Sequence, residues 1–193
     1  MMSNNLIRTF LAISLPKEVA TKKNMFYSTL EDSPSNVHWV KNEHLHLTLK
    51  FLGHTPESAI PDIKKEIASV TSILKPFNIM INNTGCFPIP QRPRVLWMGV
   101  DGKIKPLVEL HDMIQNKLNQ LGFPRSEKEY FPHITVARIN YPQKHTPDVS
   151  LFLNSSYDPI DLPVDRVQFF SSKLIPSGIV YSLLESFPLG EKF

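Results

Sequence analysis

A chain of 193 residues has room for one domain, or for two small lobes sharing a core. With 41% hydrophobic and 20% charged residues, it is neither a disordered tail, a collagen nor a coiled coil. The net charge of +3 is too weak to signal nucleic-acid binding by itself, although it suits an anionic substrate. Its one cysteine, Cys86, excludes an internal disulfide, a four-cysteine zinc site and a Cys-x-x-Cys redox pair, and points to a reducing, cytoplasmic setting. No stretch approaches the roughly 20 apolar residues of a membrane span. The apolar run from Phe10 to Leu15 is preceded by Arg8 and Thr9. It ends at Pro16-Lys17-Glu18 without a small-residue cleavage site, so it reads as a buried strand rather than a leader.

In chain order, Leu6 to Leu15 predicts a strand, and Pro16 opens a helix to about Leu30. Glu31 to Asn36 is a loop. His44 to Leu52 alternates as a strand ending at Gly53, and Glu57 to Leu74 is a helix with Ile60, Ile63, Ile67 and Val70 on one stripe. Phe77 to Ile81 and Arg94 to Val100 are strands flanking a proline-stiffened loop. Leu107 to Leu121 is a helix stopped by Gly122. His133 to Arg138 is a strand and Asp148 to Asn154 a short helix. Val164 to Leu174 and Ile179 to Phe187 form a hairpin through Pro176-Ser177-Gly178. Without strict β-α-β alternation, the pattern favours α+β with antiparallel sheet.

The informative feature is a near-repeat. His46-Leu47-Thr48-Leu49 and His133-Ile134-Thr135-Val136 share the form His-x-Thr-aliphatic, each in a strand-like run and each in its own half of the chain. Composition alone predicts about 0.3 His-x-Thr tripeptides. The bland alternative is two strands each carrying one satisfied histidine, and spacing alone leaves the two readings level. Strict alternation puts His46, Thr48 and Lys50 on one face, with Leu45, Leu47, Leu49 and Phe51 on the other. His133 and Thr135 share a face opposite Ile134 and Val136. Two such strands side by side make a cleft floor of two imidazoles and two hydroxyls. That set suits in-line phosphoryl chemistry without a metal. One imidazole takes a proton from the attacking oxygen, the other gives one to the leaving oxygen, and the hydroxyls bind the non-bridging oxygens.

With these motifs go Arg8-Thr-Phe-Leu-Ala-Ile13, Trp39-Val40, Lys50-Phe-Leu-Gly53, Pro93-Arg-Val-Leu-Trp-Met-Gly-Val100, Pro132 to Arg138, and Gly178, Tyr181 and Phe187-Pro-Leu189. Together they resemble the two-histidine (2H) phosphoesterases, and within them the RNA 2′,3′-cyclic phosphodiesterases, also called 2′-5′ RNA ligases. The resemblance covers nearly the whole chain, 1–193, as a single domain. It implies a bilobal α+β fold, with two pseudo-symmetric lobes of antiparallel sheet plus helices around a central cleft. It implies hydrolysis of RNA 2′,3′-cyclic phosphate ends to 2′-phosphomonoesters, with His46 as proton donor and His133 as proton acceptor. Thr48 and Thr135 are the expected phosphate ligands, and no metal or organic cofactor is implied. The expected partners are RNA ends or small nucleotide 2′,3′-cyclic phosphates, with no membrane, and the chain is expected to be a monomer. The alternatives are a phosphodiesterase or 2′-5′ RNA ligase acting on another nucleotide, and an inactive RNA-end binding module.

Phe131 stands where the family often has Arg, which leaves Lys128 or Arg125 to substitute. His44 shares the predicted face of His46 and reads as a solvent-facing strand edge, with a place lining the cleft as the alternative. A zinc site on His44, His46 and His133 is disfavoured by the lack of a nearby carboxylate ligand. Lys50 is either a cation at the cleft rim or solvated. Arg138 falls opposite His133 unless a bulge redirects it. Arg92 and Arg94 read as a solvated loop, with an RNA-tracking role as the alternative. Lys22-Lys23 and Lys64-Lys65-Glu66 read as helix surface, and Phe10, Trp39, Phe51 and Trp97 as core.

Overall fold

The computed structural model describes residues 5–30, 37–142, 144–176 and 178–190. The expected loop at Glu31–Asn36 and the hairpin residue Ser177 lie outside them. Strand β1 (Leu6–Ile13) leads into α1 (Lys17–Met25), which tightens into a 3₁₀ turn over Phe26–Leu30. A short β2 (Val37–Trp39) follows, then a 3₁₀ turn at Asn42–His44 and β3 (Leu47–Pro56). Next come α2 (Ile60–Thr71), β4 (Phe77–Phe87) and β5 (Val95–Asp101). The remainder is α3 (Lys105–Gln120), β6 (His133–Ile139), α4 (Ser150–Leu153), β7 (Ile160–Val164), β8 (Arg166–Ile175) and β9 (Gly178–Pro188).

The strands form two wholly antiparallel sheets, β3-β1-β8-β9 and β2-β6-β5-β4-β7. The first draws on both ends of the chain, so the lobes are not simply its two halves. Helices α2 and α3 pack on each other, with α2 reaching β9 and α3 reaching β3. The stripe predicted for α2 is buried apart from half-buried Ile60, and Leu121, the predicted end of the third helix, is exposed just past α3. Ile63, Ile67 and Val70 of α2 and Leu107, Leu110, Ile114 and Leu118 of α3 join one continuous core with Leu11, Leu47, Leu96, Met98, Ile134 and Val136. Each such side chain contributes roughly 1.5–3 kcal/mol by leaving water. Pro61 and Pro106 sit in the first turns of α2 and α3, where a missing N–H costs nothing. Gly122, at φ +87°, lets the end of α3 cap itself, with Phe123 N donating to Leu118 O at 3.0 Å.

Lys23 departs from the surface reading. It is only 1% exposed, its Nζ donating to the Val40 carbonyl at 2.7 Å and to the Tyr27 hydroxyl at 2.8 Å. Its stem fills space beneath α1 while its charge finds acceptors. Lys64 and Glu66 instead make half-exposed ion pairs with Glu185 and Lys117.

Candidate active site

Strands β3 and β6 approach one another where the two sheets meet. His46 stands between the 3₁₀ turn and the start of β3, and His133 opens β6. Both rings are held by the same device. His46 Nδ1 lies 2.7 Å from the carbonyl oxygen of His44, and His133 Nδ1 lies 2.8 Å from that of Phe131, each two residues back. A carbonyl only accepts, so each Nδ1 carries the hydrogen and Nε2 is the nitrogen left for chemistry. The His46 ring packs 4.8 Å from Phe10 and 5.7 Å from Tyr181, and the His133 ring 5.2 Å from Phe87. Burial pushes both imidazoles below their ordinary pKa, and the carbonyl bonds oppose that shift. The positive charge of Arg138 lowers both further. One guanidinium therefore acts on both histidines.

Thr48 is paired with Ala12 on the face that also carries Phe10, against which His46 packs. Thr135 is paired with Trp97, and His133 with Gly99, so those four share a face. Each threonine thus lies on the face of its histidine. The residues beyond them are re-aimed by bulges. In β3 the register slips at Leu49, so that Lys50 pairs with Leu11 and points toward the helices. It is 5% exposed, and its Nζ donates to Gln115 Oε1 and to the Pro124 carbonyl. It is neither a rim cation nor solvated. The same slip places Phe51 beside Phe10, 65% exposed rather than in the core. In β6 the register slips at Val136, so that Arg138 pairs with Val95 and returns to the face of Trp97 and Thr135. The sequence left Arg138 unsettled; the bulge puts it in the site.

The two motifs are joined directly. Tyr130 OH donates to the Thr48 carbonyl at 3.1 Å, and its ring stacks on His111 at 3.8 Å. His111 Nε2 lies 3.0 Å from the Gln115 amide that also receives Lys50. Polar groups of α3 therefore brace β3 and the segment that leads into β6.

Around His133, Trp97 lies flat over Gly85 and Gly99, with Phe87 and Phe131 packed against it at 5.5 and 5.1 Å. The indole N–H is buried without a partner, which costs about 1–3 kcal/mol. Trp97 is half-buried and lines the site rather than the core. Phe131 leaves half its surface open. His44 is half-buried, its ring 4.6 Å from Tyr181, rather than solvent-facing. Among the described residues no three His, Cys, Asp or Glu side chains converge as metal ligands, and no helix is long and apolar enough to cross a membrane.

A sequence model described as the 2′-5′ RNA ligase superfamily matches residues 30–174. The chain belongs to that superfamily. Among curated members of known name, it is 33% identical over 179 residues to the RNA 2′,3′-cyclic phosphodiesterase of Thermotoga maritima, covering 92% of this chain and 93% of the relative. It is 30% identical over 184 residues to the enzyme of that name from Methanothermobacter thermautotrophicus, covering 95% and 99%. Its fold superposes on a crystal structure from Thermus thermophilus with a TM-score of 0.78 at 27% identity, covering 97% of this chain and all of the other. Escherichia coli LigT, crystallised with 3′-AMP, superposes with a TM-score of 0.77 at 22% identity, covering 96% and 99%, which speaks for the fold. The superfamily member described here is accordingly α+β, with two antiparallel sheets.

Proposed function

We propose that the protein hydrolyses RNA 2′,3′-cyclic phosphate ends to 2′-phosphomonoesters by two-histidine acid–base catalysis. The observation that carries this is the matched pair of imidazoles, each with Nδ1 tied to a carbonyl and Nε2 open, sharing the field of Arg138 in a chain whose relatives bear that enzyme's name. His133 Nε2 takes a proton from water as its oxygen attacks phosphorus. The P–O3′ bond breaks, His46 gives its proton to O3′, and phosphate remains on O2′. Thr48 and Thr135 donate hydroxyl hydrogens to the non-bridging oxygens, and Arg138 neutralises the charge that builds there. Tyr130, bonded to the Thr48 carbonyl, sets the spacing between the two motifs.

The test is turnover of an oligoribonucleotide ending in a 2′,3′-cyclic phosphate, followed by phosphorus NMR. The expected product is the 2′-phosphate, formed at the same rate in EDTA. A 3′-phosphate product would mean that the ribose sits the other way round. Turnover abolished by EDTA and restored by zinc, or no turnover at all, would overturn the reading.

A further inference from the structure

Beyond Arg138 the five-stranded sheet ends in an unusual cation pair. The guanidinium of Arg92 lies 5.1 Å and that of Arg94 5.5 Å from the ring centroid of one residue, Tyr141. Both arginines are exposed, and among the described residues neither makes an ion pair. Tyr141 is planted inward. Its ring packs on the core and its hydroxyl is buried without a partner, leaving the ring as a seat for the two arginines. The loop beneath is fixed as well. Arg92 N donates to Ile89 O at 3.1 Å, and Ile139 N donates to Arg94 O at 2.9 Å, tying the loop to the end of β6.

Two permanent like charges held on one ring repel each other unless an anion joins them. Stacking on an aromatic face also leaves the edges of each guanidinium free to fork onto phosphate. Arg94 immediately precedes Val95, the cross-strand partner of Arg138. At backbone level it is therefore within about 8 Å of the residue whose charge acts on both histidines. In backbone order outward from the site come Arg138, Arg94 and Arg92, all at one end of the sheet.

We propose that Arg92 and Arg94, seated on Tyr141, bind the phosphodiester backbone of the single-stranded RNA leading into the site, so that the protein selects oligonucleotides over mononucleotides. This rests on the function proposed above for where the strand ends, but binding to the pair can be measured apart from turnover.

The experiment compares wild type with Arg92→Gln/Arg94→Gln and with Tyr141→Leu. Anisotropy of a labelled tetraribonucleotide reads binding over a salt series, and kcat/KM is measured for the same tetramer with a cyclic phosphate end and for 2′,3′-cyclic AMP. The double variant should bind the tetramer roughly tenfold more weakly and lose about 1.4 from the slope of log K against log salt, the value for two contacts on a single strand. Tyr141→Leu should fall between it and wild type. Turnover of 2′,3′-cyclic AMP should be unchanged, while KM for the tetramer rises. Unaltered tetramer affinity and salt slope, or equal losses on both substrates, would overturn the proposal. Should wild type turn over neither substrate while the double variant still loses tetramer affinity, the pair stands as an RNA contact and the catalytic reading falls.

Discussion

Gly85→Ala tests how tightly the wall beside His133 is built. A Cβ at position 85 would lie 2.1 Å from Trp97 Cζ2 and 2.3 Å from Cη2, where ordinary contact begins at 3.4 Å. The indole must therefore retreat by about 1.3 Å. It has little room, since Phe87 and Phe131 pack against it and its far edge lies over Gly99. Overpacking of this kind costs about 1–3 kcal/mol. For a chain of this length each kcal/mol is worth about 2–4 °C, so Tm should fall by roughly 2–12 °C in calorimetry. Phe87 also holds the His133 ring, so displacement of the wall reaches the proposed base. A misplacement near 1 Å costs up to about 10²-fold, and kcat should fall by about 10- to 100-fold with little change in KM. Trp97→Phe removes the clashing part of the indole and should recover stability in the Gly85→Ala background. Wild-type stability and rate in Gly85→Ala, or a double variant no better than the single one, would refute this reasoning.

The pH dependence of kcat/KM follows from the two depressed imidazoles. In the free enzyme the base must be neutral and the acid protonated, and both titrate below the ordinary value of about 6.5. The bell should therefore peak on the acid side of pH 6.5, and an optimum above 7 would contradict it. Arg138→Met removes a charge that disfavours both imidazolium forms, so it should move the peak to higher pH while lowering the rate. Lys50→Met strands the Gln115 and Pro124 acceptors, and should lower unfolding free energy in urea by about 1–3 kcal/mol. The salt dependence of RNA turnover should be unchanged by it, because Lys50 faces the helices.

The two His-x-Thr motifs were legible because a strand's period of two needs only three residues to place a histidine and a threonine on one face. Past those residues the same rule misleads in both directions. One extra residue at Leu49 turns Lys50 inward and Phe51 outward, and one at Val136 brings Arg138 back to the site. A bulge leaves no mark in the hydrophobic pattern, since Leu49 and Val136 are buried whichever way their neighbours turn. Asn82-Asn83-Thr84-Gly85 looked like the end of a strand. Asn83, at φ +66°, is instead the extra residue of a bulge that carries β4 on to Phe87. Strand β7 escaped notice because of Pro163, which an edge strand tolerates. Tyr130 and Trp97 gave no signal of their own. Their roles come from contacts with Thr48, Gly85 and Phe131, which lie far away in sequence or across a sheet.

The central claim, that His46 and His133 work as one acid–base pair, is tested most directly by a double-mutant cycle on a cyclic-phosphate-ended oligoribonucleotide. His46→Ala and His133→Ala should each lower kcat by roughly 10²–10⁴. The double variant should lose far less than the product of the two, because either deletion alone disables the pair. A single variant retaining near-wild-type turnover, or losses that simply multiply, would contradict the account.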